Sequence, residues 1–312
     1  MKHETSEDYF CQLSGMKRIS KYIFNETNEL AKYIKKAQTS MTWDHHSQES
    51  DKLKSGDYND FESLEEATHA LEYGTDMYFE NFKKDIKKAR DFISKNEKNK
   101  NSKYKNDRVG FLPIVPKVIQ GNPINMINQD VKPKPYPTAR IILEKSNSWH
   151  ITPDDMSGFY SIIFVLIQLL EERNIRCEIW ITDNSIEDNE IITTKVKLKS
   201  YTQPLNIYKI QFPIIASDYH RRIVFRIKET DGYLQNTNWP YTYGTPLLVE
   251  YEYEDFKDTI DKIIGIEEND IYIPSCQNFG YKAGADIDET LKKIINGTNI
   301  KNYIKLNEGA IE

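Results

Sequence analysis

The chain has 312 residues, a net charge of −6 at pH 7 and a hydrophobic content of 38%. This length allows a large buried core, and the acidic balance excludes a protein built to coat nucleic acid over its whole surface. An aromatic content of 12% excludes a wholly disordered chain. Three widely separated cysteines (Cys11, Cys177 and Cys276) argue against a disulfide framework and predict a reducing, cytoplasmic location.

Residues 1–110 are predicted to form a helical, charged region. The segment 19–37 has a weak amphipathic pattern, a helix beginning near Phe61 ends at Gly74, and residues 77–94 carry apolar side chains three and four apart. The basic segment Lys83–Arg108 contains eleven Lys or Arg residues against four Asp or Glu residues. Its composition predicts a solvated face and an exposed linker, with phosphate binding as the alternative.

Residues 111–137 are predicted to be a Pro-rich, extended connector. Three prolines and a glycine interrupt the apolar segment 111–123, and Lys132–Pro137 forms a stiff entry into the next region.

From residue 138 to residue 312, strands and helices alternate. Residues 139–144, 156–173 and 176–182 form one right-handed strand–helix–strand unit. The order predicts an α/β fold, a three-layer sandwich with a mainly parallel sheet. The longest apolar run, 162–170, is too short to cross a membrane, and the polar start Met1–Asp8 predicts no secretory signal. The remaining predicted elements are strands 193–200, 206–212, 222–228, 247–251 and 270–274, and helices 214–221, 254–264 and 286–296.

The end of the first strand of this region carries the strongest candidate site. Glu144, Ser146 and Ser148 stand at alternate positions directly after an apolar strand. Carboxylate and hydroxyl oxygens are ligands for Mg²⁺, and ligands of α/β sheets bind at the carboxyl ends of the strands. The sequence therefore predicts a site at this edge that is either a Mg²⁺ site or a degenerate, metal-free site.

Residues 139–300 resemble a von Willebrand factor A (vWA) domain, and residues 60–300 are similar to an uncharacterised group of such proteins from bacteriophages. The resemblance implies a Rossmann-like sheet and a metal-ion-dependent adhesion site of the pattern Asp-x-Ser-x-Ser. It rests on Phe61–Leu71 with Gly74, Val115–Met126, the Glu144 strand with its helix, and His220–Phe225.

The chain departs from the vWA pattern at several positions. Glu144 replaces the aspartate, and Trp149 and His150 stand where the family continues with Gly-Ser-Met. The resemblance also implies a later threonine and aspartate in the site, for which Thr202 and Asp183 are candidates by position. These departures favour a degenerate, metal-free site over a Mg²⁺ site at Glu144.

Other polar groups are interpreted as structural, each with a functional alternative. Trp43-Asp44-His45-His46 is read as a solvated turn, with a zinc site as the alternative. The pair Arg221 and Arg222 is read as part of an ion pair, with carboxylate or phosphate binding as the alternative. Cys276 is a weak nucleophile candidate because no histidine base is placed beside it. The sequence contains no P-loop, Gly-x-Gly-x-x-Gly fingerprint or Gly-x-Ser-x-Gly nucleophile elbow.

These patterns predict a non-catalytic adaptor or assembly protein that binds a protein partner at the carboxyl edge of the sheet. Trp149, His150 and Asp183 are the predicted partner-binding residues. The resemblance implies that a separate ring ATPase of the MoxR type, or another phage or host component, is the partner. One alternative is a metal-dependent nucleic-acid processing enzyme that uses Glu144, His150 and Asp183; another is a virion component.

Overall fold

A computed structural model provides the structure of this chain. It describes residues 1–6, 18–37, 60–78, 87–88, 90–95, 104–108, 112–129, 137–148, 150–187, 190–230, 245–247 and 253–304. The elements in chain order are β1 Lys2–Ser6, β2 Arg18–Phe24, α1 Thr27–Lys36, α2 Leu64–Tyr73, β3 Tyr104–Asp107, β4 Leu112–Pro113, α3 Val115–Ile119, β5 Met126–Gln129, β6 Thr138–Glu144, α4 Pro153–Glu172, β7 Arg176–Glu187, β8 Glu190–Lys199, α5 Ile207–Ile215, a π-helix Tyr219–Val224, α6 Phe225–Glu229, β9 Thr245–Pro246, α7 Tyr253–Ile264, β10 Ile271–Ile273, α8 Ile287–Gly297 and a 3₁₀-helix Asn299–Asn302.

The main sheet has the strand order β1-β2-β8-β7-β6-β10, with β9 paired to the end of β7. Strand β6 is parallel to both of its neighbours, β7 and β10, as the alternating pattern predicts. Strand β8 runs antiparallel to β7 and parallel to β2. The sheet is therefore mixed, and the carboxyl ends of its two parallel groups lie at opposite edges.

Helices cover both faces of the sheet, which confirms the predicted three-layer α/β arrangement. Alternate residues of β6 supply the two faces: Ile141 and Leu143 join the core that contains α4, whereas Ile142 joins the core that contains α7. The face that carries α4 is called the α4 face below, and the opposite one the α7 face.

Helix α4 has more buried residues than any other helix of the described chain. Thr152 and Asp155 form a capping box, and Pro153 occupies the first turn, where its missing N–H has no cost. Thirteen of its residues are buried, so its apolar composition on all sides reflects a position inside the core.

The prediction of helix over 19–37 is correct only for Thr27–Lys36, because β2 occupies Arg18–Phe24. Tyr22 and Phe24 alternate with less buried residues, which is the period of a strand. Strands β1 and β2 also join the main sheet through pairing with β8. The predicted helical N-terminal region is therefore not confirmed.

Two predicted strands are wrong. Segment 206–212 belongs to α5, in which the Asn206 side chain caps the Lys209 N–H, and segment 222–228 lies in the π-helix and α6. Short apolar runs do not distinguish a buried strand from a buried helix, which is why the local pattern misled.

The predicted connector is more structured than its prolines suggest. Strands β3, β5 and β4 form a small antiparallel sheet, in that order, and α3 makes one helical turn between β4 and β5. Proline at the start of α3 is compatible with helix because the first-turn N–H groups need no helical partner.

Several predictions fall outside the described residues. They include Trp43–His46, Cys11, Trp149, half of the basic segment 83–108 and nearly all of strand 247–251. Among the helices that are described, none is long and apolar enough to cross a bilayer.

Candidate functional site

The Glu144 side chain is buried at the carboxyl end of β6 and surrounded by donors. The Asn184 backbone N–H donates to Oε1 at 3.1 Å, the Asn184 side-chain amide donates to Oε2, and the Tyr272 hydroxyl donates to Oε2 at 3.3 Å. The Ser146 hydroxyl also bonds Oε1. We call these four residues the Glu144 cluster, which ties β6 to β7 and β10.

Burial raises the pKa of Glu144 to about 8, although hydrogen bonds from Ser146 and Asn184 oppose the shift. Asn184 has a fixed orientation, since its Oδ1 accepts the Thr182 hydroxyl at 3.2 Å. With a pKa of about 8, the carboxyl group of Glu144 is mostly neutral near pH 7.

A second polar cluster forms around Asp183 on β7. Its carboxylate bonds Nδ1 of His220, in the π-helix, and lies 3.5 Å from the Lys228 ammonium. Burial alone would raise the pKa of Asp183, but His220 and Lys228 hold it below its usual range. We call these three residues the Asp183 cluster.

Burial lowers the pKa of His220, against the opposing effect of Asp183. A neutral His220 must carry its proton on Nδ1, because the ionised Asp183 can only accept. Asp183 thus faces one N–H donor and one ammonium, which together neutralise it inside the core. The π-helix that carries His220 is a rare conformation often found at functional sites.

The two clusters lie on opposite faces of the sheet. Glu144 pairs with Thr182 in the register of β6 and β7, so Asp183, one residue further, points the other way. Glu144 lies with Tyr272 on the α7 face, whereas Asp183 lies with His220 on the α4 face. The carboxyl edge therefore has two separate polar clusters instead of one shared site.

Lys145 and Cys276 extend the buried polar layer on the α4 side. The Lys145 ammonium donates to Ile214 O at 3.1 Å and lies 3.9 Å from the centroid of the Tyr160 ring. Burial lowers the pKa of Lys145 to about 7.

The Cys276 thiol donates to Asn147 Oδ1 at 3.1 Å, and burial raises the pKa of this thiol to about 12. A thiol held in its protonated form is a poor nucleophile, so this geometry does not support Cys276 as a catalytic residue.

The structure places the other predicted site residues apart from Glu144 and Ser146. Ser148 is half-buried, and its backbone N–H donates to Gln277 Oε1 at 2.9 Å. His150 is exposed at the same edge. Thr202 follows β8, whose antiparallel direction puts it at the opposite edge of the sheet, where it bonds Ser200. Thr202 therefore cannot complete a site with Glu144.

Sequence reasoning missed Asn184, Tyr272 and Lys228. Asn184 had a detectable signal, since it follows Asp183 at the carboxyl end of a predicted strand. Tyr272 and Lys228 had none, because their contacts depend on strand register and on the helical state of the segment around 219–229. The structural reading of Arg222 is supported: it forms a fully buried ion pair with Asp218.

Residues 3–297 match a family model described as "Domain of unknown function (DUF7192)". The chain belongs to the DUF7192 family. No curated protein and no solved structure matches the chain. The matched range contains both the Glu144 cluster and the Asp183 cluster.

The arrangement in this DUF7192 chain does not fit a Mg²⁺ ion at Glu144. Mg²⁺ requires near-octahedral oxygen ligands, but both Glu144 oxygens already accept internal hydrogen bonds and the Ser146 hydroxyl is bonded to Glu144. Asp183 lies on the other face. Within the described ranges, no group of three or more His, Cys, Asp or Glu residues is placed to hold a metal ion.

Proposed function

We propose that this DUF7192 protein is a non-catalytic interaction protein, an adaptor or assembly factor, that binds a protein partner at the carboxyl edge of its sheet without a metal ion. The observation that carries the proposal is the separation of Glu144 and Asp183 onto opposite faces, with each carboxyl group bonded to internal donors. Two such groups cannot act together on one ion or one substrate.

The internal contacts support a structural role for both clusters. The Glu144 cluster joins three adjacent strands, and the Asp183 cluster joins β7 to the π-helix and α6. Buried hydrogen bonds and ion pairs between elements restrict the positions of those elements. The clusters would therefore hold the edge rigid, while exposed groups such as His150 contact the partner.

The proposed binding mode differs from the one that the vWA resemblance implies. In that mode a partner carboxylate completes a metal coordination shell, whereas here the partner would contact the side chains at the edge directly. The MoxR-type ATPase and the bacteriophage origin stay predictions, and the identity of a captured partner would test them.

The test is capture of a partner from native cells by the purified, tagged protein, in Mg²⁺ and in EDTA. We expect the same specific partner in both conditions. We expect His150→Ala to lower its capture about fivefold, which corresponds to about 1 kcal/mol of binding free energy. His3→Ala, at an exposed histidine on β1, is the matched control and should leave capture unchanged.

Capture that requires Mg²⁺ would overturn the metal-free proposal. Capture that is equally insensitive to His150→Ala and His3→Ala would exclude the carboxyl edge as the binding surface. Turnover of a nucleic acid by the purified protein, lost in Glu144→Gln, would favour the enzyme alternative.

A further inference from the structure

A cavity of about 740 Å³ lies on the α4 face, outside both polar clusters. Its walls come from helical residues 87–88 and 90–95, from helix α4 and from the start of α8. Ligand pockets in proteins measure roughly 300 to 1,000 Å³, so this volume fits a ligand of moderate size. We call it the α4 cavity.

The α4 cavity lies beside the carboxyl edge of the sheet. Helix α4 begins at Pro153, shortly after β6 ends, and α8 begins at Ile287, after β10 ends. Because β6 and β10 are parallel, both helices begin at the same edge. Gly158, in the second turn of α4, lines the cavity together with residues 284–288 at the start of α8. The cavity therefore adjoins the surface that we propose to bind the partner.

The floor of the cavity is apolar and aromatic. Phe92, Ile162 and Tyr281 line it, and all three are buried. A Cβ added to Gly158 would lie 2.7 Å from the Tyr281 hydroxyl, so glycine at this position lets the Tyr281 ring lie directly against α4. Glycine inside a helix costs about 1 kcal/mol relative to alanine, and the Tyr281 contact accounts for its presence here. A floor of this kind suits a large aromatic side chain.

One wall of the cavity carries two ammonium groups. Lys88, Asp91 and Lys95 are spaced three and four residues apart, so they share one face of the helical segment. All three side chains are exposed. Two lysines against one aspartate give this wall a net charge of +1, so it can bind a carboxylate.

A second wall, at the start of α8, is acidic. Asp286 and Asp288 both line the cavity. The Asp286 side chain accepts the backbone N–H groups of Asp288 and Glu289, so two of the first N–H groups of α8 are capped internally and a carboxylate already occupies the helix start. An anion therefore has no site there, whereas the exposed Asp288 carboxylate can bind a cation.

Neighbouring charges leave this balance unchanged, because they pair with one another: Arg90 with Glu172, Lys282 with Asp155, and Lys293 with Glu289. Within the described ranges, no ion pair joins Lys88, Asp91, Lys95 or Asp288 to another side chain. These four charges are therefore available to a ligand.

We propose that the α4 cavity binds a peptide segment of the protein partner: a large aromatic side chain enters the cavity, with an acidic residue on one side of it and a basic residue on the other. The acidic residue faces Lys88 and Lys95, and the basic residue faces Asp288. Burial of the aromatic ring provides most of the affinity, because exposed ion pairs contribute less than about 1 kcal/mol each, and the two charges provide specificity. The inference rests on the proposed function and adds the chemistry of the partner.

The test uses the purified full chain and an array of short, terminally blocked peptides with tryptophan at the centre. Gly, Glu and Lys occupy the flanking positions in every combination, so all spacings of the two charges are sampled. We expect the bound peptides to contain both Glu and Lys, and replacement of the tryptophan by alanine to weaken binding at least about tenfold. Fluorescence anisotropy of labelled peptides measures the affinity.

Two variants of the chain locate the binding. Ala285→Trp fills the cavity from an exposed position and should lower peptide affinity at least about tenfold. Lys95→Glu should change the preference of the array from peptides with Glu toward peptides rich in Lys, which a loss of folding alone would not do. The controls, Asn302→Trp and Lys301→Glu, change exposed residues that do not line the cavity and should bind like the wild type. Circular dichroism confirms that each variant is folded.

Absence of peptide binding to the wild type would overturn the proposal. A partner that is still captured through His150 would then leave the proposed function standing, so the two failures are distinguishable. Equal binding by the wild type and Ala285→Trp would also overturn the proposal. So would displacement of the peptides by an equal concentration of free L-tryptophan, because the cavity would then be a small-molecule site. Partner capture that falls in Ala285→Trp but not in Asn302→Trp would support it.

Discussion

Arg222→Met is expected to lower the free energy of unfolding by about 3 to 5 kcal/mol at pH 7.5, because it leaves a buried carboxylate without its partner. Arg222 and Asp218 are both fully buried, and Arg222 Nε donates to Asp218 Oδ1 at 2.7 Å. The same guanidinium donates to Phe61 O at 2.7 Å, so its removal also orphans a carbonyl. Chemical denaturation of both proteins measures the difference.

The loss of unfolding free energy caused by Arg222→Met should be smaller at acidic pH. Burial raises the pKa of Asp218 to about 6, against the opposing hydrogen bonds from Asp60 and Arg222. Without Arg222 this pKa rises further, so at pH 5 the carboxyl group is neutral and needs no cation. The difference in unfolding free energy between wild type and Arg222→Met therefore grows as pH rises from 5 to 7.5.

The matched control is Lys293→Met. Lys293 and Glu289 form a pair with the same four-residue spacing, but their side chains are 61% and 65% exposed. Breaking an exposed pair should cost less than about 1 kcal/mol. A loss for Arg222→Met as small as that of Lys293→Met would mean that the pair at Asp218 is hydrated and not part of the core.

Glu144→Gln is expected to become more stable relative to the wild type as pH rises from about 5 to 8. The folded protein holds a proton on Glu144 up to a pKa of about 8, whereas an unfolded glutamate releases it near its ordinary value of 4.5. Between these values the native state binds more protons than the unfolded state, so the stability of the wild type falls with rising pH. Glutamine has no proton to lose.

The expected change in the difference between the two proteins is on the order of 3 to 5 kcal/mol across this range. Denaturation at several pH values measures it, and Lys145, whose pKa is lowered to about 7, contributes equally to both proteins and cancels. Glu289→Gln, at an exposed position, is the control and should give a flat difference. A flat difference for Glu144→Gln would show that its carboxylate is ionised in the folded state.

Much of the main sheet could be predicted from the sequence, because its signals are local. The strand ending at Glu144, the apolar helix after it and the strand beginning at Arg176 are each set by composition and by Thr152 and Pro153 at the helix start. The position of Glu144 at a carboxyl edge followed from that order.

The direction of β8 and the faces of the two carboxylates could not be predicted in the same way. Both depend on pairing between strands, and a shift of one residue in register would move Asp183 to the same face as Glu144. The segment from Ile207 to Glu229 is apolar with few turn residues, so only its packing against α4 distinguishes helix from strand. The contacts of His220 and Lys228 with Asp183 depend on the helical conformation of this segment.

Thermal unfolding of the purified wild type and of Glu144→Gln, in excess Mg²⁺ and in EDTA, tests the central claim most directly. If the Glu144 carboxyl group is an internal structural group, the melting temperature of each protein is the same in both conditions. A bound ion would instead stabilise the native wild type by about 2.7 kcal/mol at one hundred times its dissociation constant. A Mg²⁺-dependent rise in the melting temperature of the wild type that is absent in Glu144→Gln would contradict the account.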